Sequence, residues 1–423
     1  MDKYYGIVSS MLMGIVLVIV SIIMFILKGQ FYLESVNFII FIFFIKFILD
    51  LYEIAIKRNN KIIINSIFHI GTYFFFLFVP NFFYGLAPFL FSVYLCIIGI
   101  SYFVMCYLSI RNGEFIKFGQ FFRGSICFIM GIPIMVSPVM RLDSFVVIVS
   151  IYMLLLGLCY CYDGIGLMMS ISIKNKLKRR IRITLPKVLE SIIPYSVMME
   201  INRNLEVRDV NTYSYDSLLG ESNLSILIHT SNRGVNRMGH MDIYFDGKVI
   251  SYGNYDEGSR FGREFFGDGV LFETKNKDDY IDFCIDNSKK TIFEFGIKLT
   301  NEQMLRIRQK LDKLYLNVVE WDYRSDKKYN GGSSYASKLY KKTKAIFYKF
   351  TKGKYHTYFV MGVNCCHFVD EIVGESGMDI LSINGIITPG TYYDYLNKEL
   401  KRGNSNVVSM SVYNAMNRSG ERK

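Results

Sequence analysis

Apolar residues run almost without interruption to about residue 170, and charged and turn-forming residues return beyond that point. The long runs predict six membrane spans, roughly 5–27, 36–56, 62–80, 86–109, 119–139 and 144–170, each near the length that crosses a bilayer. The first, "YYGIVSSMLMGIVLVIVSIIMFILK", is too long for a signal peptide and lacks a small-residue cleavage site. Residues 1–171 therefore read as a membrane domain and 172–222 as a basic, Pro-punctuated connector. In the connector, "LPKVLESIIPYSVMMEI" has an apolar helical face suited either to the membrane surface or to packing on the next domain.

From residue 223 the apolar period shortens. "NLSILIHT" reads as a strand, and "GHMDIYFDG" alternates His240, Asp242 and Tyr244 against Met241, Ile243 and Phe245, a strand with two distinct faces. Asp246-Gly247 predicts a hairpin turn into "KVISYG", and "TIFEFGIKL" predicts a further strand. Thr300 and Gln303 form a capping box before a helix buried through Met304, Ile307, Leu311 and Leu314. "TYFVMGV" (357–363) predicts a strand running into a helix capped by Asn364, with Phe368, Val369, Ile372 and Val373 facing a core. Gly374 or Gly377 ends that helix, and "TPGTYYDYLNKELK" predicts one more. The pattern describes an α+β domain over 223–402 and a polar, disordered tail over 403–423.

Charge changes the picture in one respect. The net charge of +12 gathers beside the spans, most densely in "KNKLKRRIR", and no nucleic-acid motif accompanies it. Lys57, Arg58 and Lys61 follow span two, Arg111 and Lys117 follow span four, and the basic run follows span six. The opposite side carries only Lys28, Glu34, Arg141 and Asp143, so both chain ends and the soluble domain are expected in the cytoplasm. The eight cysteines form no disulfide framework.

Lys46, Asp50 and Glu53 share one face of span two. They read either as a transport pathway or as a self-neutralising Lys46–Asp50 pair with Glu53 at the interface. "FIKFILDLYEIAIKRNN", "IGISYFVMCYLSIRNG" and "SIYMLLLGLCYCYDG" each close a two-span hairpin, which suggests three repeated hairpins. The stretch 130–166, through Gly131, Pro138 and Gly157, resembles the six-span HdeD-type membrane family and transfers no functional residue.

The candidate chemistry lies in "GVNCCHFVDEIVGESG". A thiol in the first turn of a helix has a lowered pKa and lies beside backbone N–H groups that bind an oxyanion. Cys365 holds that position, and His240 on its strand is the candidate base. Cys366 is expected in the core, and His367 either supports the site or lies on the helix surface. A zinc site from Cys365, Cys366 and His367 is not expected, because adjacent ligands close a tetrahedron poorly. The glycines at 258–269 fit turns rather than a phosphate loop.

A strand histidine followed by Asn364-Cys365-Cys366-His367-Phe368-Val369 resembles the circularly permuted papain-like fold of NlpC-type cysteine hydrolases and the lecithin:retinol acyltransferase group. "GHMDIYFDGKVISYGNYDEG", "GIKLTNEQMLRIRQKL" and "NCCHF" are similar to the Lnb-type N-terminal domain of bacterial periplasmic proteins, over residues 223–395. The resemblance implies Cys365 as nucleophile and His240 as base, without cofactor or metal. Where the acyltransferase group has a second histidine, this chain has Tyr252, so the orienting group is sought among Tyr252, Asn254 and Asp242, in that order. The expectation is an integral protein of a bacterial cell membrane that cleaves an amide or ester in a peptide or lipid acyl substrate. The alternative is a membrane sensor or transport-related protein whose soluble domain only binds a ligand.

Overall fold

The computed structural model describes residues 2–57, most of 71–168, 180–182, 215–216, 222–231, 239–288, 290–325, 334–377, 380–382, 388–402 and 405–414. The chain divides into two compact units. One comprises residues 12–104 and 118–161; the other comprises 1–11, 105–117 and 162–423.

The N-terminal part is helical: α1 (Asp2–Leu27), α2 (Gly29–Lys57), α3 (Pro80–Arg111), α4 (Phe118–Val136) and α5 (Pro138–Met168). Four stretches are long and apolar enough to cross a membrane, at 29–50, 84–111, 118–136 and 142–162, and α1 adds a shorter apolar stretch at 11–27. The expected third span, 62–80, lies mostly outside the described residues, as does most of the connector. Lipid gives apolar helices little reason to associate, so close backbone approach sets where they cross. Gly14 of α1 and Gly157 of α5 meet in this way: an added Cβ would lie 2.8 Å from the Gly157 carbonyl or 2.9 Å from that of Gly14. Gly99 of α3 and Gly124 of α4 repeat the arrangement at 3.2 Å each. Lys46 Nζ lies 2.9 Å from the Asp50 carboxylate, which is the self-neutralising geometry. The Glu53 side chain is outside the described atoms.

The C-terminal unit is built on strands β1 (Arg180–Arg182), β2 (Tyr215–Asp216), β3 (Leu224–Ser231), β4 (His240–Phe245), β5 (Lys248–Gly253), β6 (Phe266–Asp268), β7 (Val270–Thr274), β8 (Lys290–Ile297), β9 (Val318–Glu320), β10 (Ile346–Phe350), β11 (Thr357–Phe359), β12 (Ile380–Ser382) and β13 (Val407–Tyr413). Nine of them form one antiparallel sheet in the order β2-β13-β8-β3-β4-β5-β7-β10-β9. Helices α6 (Lys277–Ser288), α7 (Asn301–Tyr315), α8 (Tyr335–Thr343), α9 (Cys365–Val373) and α10 (Pro389–Arg402) accompany it.

The alternation read in β4 separates two cores. Met241, Ile243 and Phe245 cluster with Cys365 and Phe368 of α9, Ile307 of α7 and Tyr393 of α10. The other cluster holds Leu227 and Phe272 with Tyr280 and Phe283 of α6 and Leu339 of α8. The β4–β5 turn has Asp246 at φ 49° and Gly247 at φ 74°, the left-handed pair that a two-residue hairpin needs. The capping box of α7 is formed as expected. Phe295 is fully buried in β8 and meets Tyr393 edge-on at 5.7 Å. Phe295→Ala should cost about 3–5 kcal/mol of stability, measurable by denaturant titration of Trp321 fluorescence; a loss below about 1 kcal/mol would contradict this core.

Two expectations need correction. Residues 403–423 do not all form a tail: β13 pairs with β8 inside the sheet and buries Val407, Val408 and Val412. Its apolar positions supply a strand edge that the polar flanks concealed. The strand expected over 357–363 stops at Phe359, where the Phe359 N–H bonds the Val363 carbonyl and the chain turns. β11 pairs with β6 in a separate two-stranded piece.

Candidate active site

The site forms at the start of β4. Asn364 caps α9 by accepting the His367 N–H at 3.0 Å, and its own amide donates to the Val360 carbonyl at 2.9 Å. That places Cys365 in the first helical turn, with only 4% of its surface exposed. The neighbouring Cys366, His240 and the Met241 backbone N–H all act on the thiol and favour its ionised form. Cys366 is buried in the core, its Sγ 4.0 Å from that of Cys365.

His240 Nε2 has two directed hydrogen-bond partners, Tyr255 Oη at 2.8 Å and Ser251 Oγ at 3.0 Å. These hydroxyls lie 2.5 Å from each other. Asp242 Oδ1 also lies 2.8 Å from Nε2, off the in-line direction of an N–H···O bond, so it acts on the ring as a charge.

Asp242 is fully buried and shared. Tyr280 Oη donates to Oδ2 at 2.6 Å, and His229 Nε2 approaches the same oxygen at 2.8 Å. His229 stands opposite His240 in the β3–β4 register, with ring centroids 5.7 Å apart. A second imidazole is therefore present, on the strand before His240 rather than after it.

The electrostatics favour a charged Cys365–His240 pair. Burial alone would lower the His240 pKa, but the Asp242 carboxylate and the Cys365 sulfur outweigh it and raise it to about 10. The Cys366 hydrogen bond, against the opposing effect of burial and together with His240, holds the Cys365 thiol well below its ordinary value. Burial would raise Asp242, but the two imidazoles hold it well below the usual carboxylate range. His229 is pushed down to about 4, chiefly by burial, and stays neutral at pH 7. Burial keeps Tyr255 and Tyr280 protonated, so Tyr280 donates to Asp242 while the neutral Tyr255 hydroxyl can accept from a protonated Nε2. Tyr358 on β11 is also held protonated, by burial and by the nearby Cys365 sulfur.

The residues expected at the site separate clearly. The structure brings Cys365, His240 and Asp242 together. Tyr252, the first choice for orienting the base, is fully buried, and its hydroxyl donates to the Tyr355 carbonyl at 3.1 Å. Its ring stacks on Phe368, so it packs under α9. Asn254 donates to the carbonyls of Glu264 and Phe266 and clasps the 254–266 loop. Asn364 is the cap described above, and His367 is half-buried on α9. Residues two apart along a strand are separated by about 6.7 Å, yet the Asp242 and His240 side chains close that gap to 2.8 Å. Sequence reasoning missed His229, Ser251, Tyr255, Tyr280 and Tyr358. The "LIHT" end of β3 carried the only usable signal for His229, and it needed the hairpin register. Among the described residues, no group of three His, Cys, Asp or Glu side chains is placed to hold a metal ion.

Comparison of the chain with protein-family models, with curated proteins and with solved structures found no match.

Proposed function

We propose that this protein is a membrane-embedded thiol hydrolase that cleaves an amide or ester through an acyl-enzyme on Cys365. The observation that carries the reading is a thiol in the first turn of a capped helix, electrostatically coupled to an imidazole that Tyr255 and Ser251 direct and Asp242 charges. The order of elements, with the base on an early strand and the nucleophile on a later helix packed on the same antiparallel sheet, supports a permuted papain-like arrangement. In the full chain we read six spans, in three hairpins, with the soluble domain in the cytoplasm of a bacterial cell.

The Cys365 thiolate attacks the substrate carbonyl and a C–S bond forms. The oxyanion is held by the Cys365 backbone N–H at the helix start and by the Tyr358 hydroxyl. The His240 imidazolium gives its proton to the leaving nitrogen or oxygen as the C–N or C–O bond breaks. His240, now neutral, takes a proton from water, and the resulting hydroxide attacks the thioester. Collapse expels the thiolate and restores the ion pair. Asp242 stabilises the imidazolium in both halves, and His229 and Tyr280 hold Asp242.

Iodoacetamide tests this reading on the full-length protein. Among eight cysteines, Cys365 should be alkylated first, at a rate nearly independent of pH between 6 and 8, because its thiolate already exists there. In intact cells a membrane-impermeant methanethiosulfonate should reach it only after permeabilisation. An alkylation rate that rises tenfold per pH unit over that range marks an ordinary thiol near pKa ~8.5 and favours a ligand-binding module instead.

A further inference from the structure

The last turns of α3 belong to the C-terminal unit, and they lie against the segment that leads to the nucleophile. The Asn112 carbonyl accepts the Gly353 N–H at 2.9 Å, and its side-chain oxygen accepts the Thr357 hydroxyl at 3.0 Å. A Cβ on Gly362 would fall 2.6 Å from Met105, so that glycine admits the helix. α3 is apolar enough to span a membrane up to Arg111, and Tyr107 and Ile110 near its end are exposed.

Two apolar groups flank this place. On one side, Val360 N–H bonds the Phe265 carbonyl at 3.1 Å, and the loop there exposes Phe261 and Phe265 by 51% and 44%. The loop is held rather than slack. Phe261 stacks on Phe266, Phe266 stacks on Phe359, and Arg260 donates to the Asn254 carbonyl at 2.9 Å. On the other side, Thr351 N–H bonds the Asn317 carbonyl at 2.9 Å, next to Leu316, which is 84% exposed. On these segments the cations Arg111, Arg263, Lys313 and Lys352 are exposed, against one exposed acid beside Leu316, Asp312. Glu264 in the loop is paired with Arg260.

Exposed aromatic and aliphatic tips with cations between them, around the end of a membrane-length helix, match the composition that seats in a headgroup boundary. The cations suit an anionic leaflet. We propose that Phe261, Phe265 and Leu316 insert into the interfacial zone of the bilayer that α3 leaves at Arg111, and so fix the soluble domain on the membrane. This seating does not depend on whether Cys365 is catalytic.

The test uses the full chain with its single tryptophan removed (Trp321→Phe) and one tryptophan restored by Phe265→Trp, Leu316→Trp or Leu305→Trp. Leu305 is equally apolar and 52% exposed, but lies about 16 Å up α7 from Leu316. Each protein is reconstituted in phosphatidylcholine–phosphatidylglycerol vesicles with lipids brominated near the top of the acyl chain. Tryptophans at 265 and 316 should be quenched at least about threefold more than at 305 and be shielded from aqueous iodide. Quenching at 265 or 316 no greater than at 305 overturns the proposal. So does full access of iodide to both positions, which would mark the patch as a surface for a soluble partner.

Discussion

Cys365→Ala is expected to abolish hydrolysis, lowering turnover by at least about 10³-fold, because the nucleophile has no substitute in the site. The readout is cleavage of a long-chain nitrophenyl ester and of a peptidyl aminocoumarin amide by the protein in detergent or vesicles. Cys365→Ser should fail similarly, since an alcohol is not ionised by an imidazole tuned to a thiolate. The thermal midpoint should move only modestly, because the buried side chain loses a single sulfur atom. Cys366 is the internal control. Cys366→Ala should leave turnover measurable but slower, since it removes one of the hydrogen bonds that lower the Cys365 pKa. Full hydrolysis by the Cys365→Ala protein would end the enzymatic reading, whatever the geometry suggests.

Asp242→Asn is expected to lower turnover by about 10²–10⁴-fold while leaving Cys365 and His240 in place. The sign follows from the charges. In the folded protein the His240 pKa stands at about 10 because Asp242 and Cys365 outweigh burial, and the Cys365 pKa lies well below its usual value partly because His240 is charged. Removing the carboxylate charge lowers the His240 pKa and raises that of Cys365. The thiolate–imidazolium pair exists only between the two values, so its pH window narrows from both sides. Wild-type alkylation should be flat from pH 6 to 8 and fall only as acid protonates the thiolate. The variant should be slow at pH 6 and climb toward pH 8. An Asp242→Asn profile that overlays the wild type would show that the carboxylate serves structure alone. Tyr255→Phe separates charge from direction: it removes a hydrogen bond at Nε2 without changing the site's charge.

The local elements of the soluble domain were legible because each rests on short-range chemistry. The β4 alternation, the Asp246-Gly247 turn, the Thr300 capping box and the Asn364 cap depend on neighbours within a few residues, and all four are formed. Apolar run length announced the helices long and apolar enough to cross a membrane for the same reason. From these alone came a cysteine at a helix start and a histidine at a strand start. Strand pairing was not legible. It joins β8 to β13 across more than a hundred residues, and no local signal in "NVVSMSVY" names that partner. The same gap hid the site's surroundings: His229 faces His240 only through the β3–β4 register, and Tyr255, Tyr280 and Tyr358 arrive from three further segments. By itself, then, the sequence determined which residue types stood ready at which local positions. Only the tertiary structure decided that Asp242, rather than Tyr252, lies against His240. Side-chain reach across a sheet depends on register, lean and burial, and none of these is a property of a single stretch of chain.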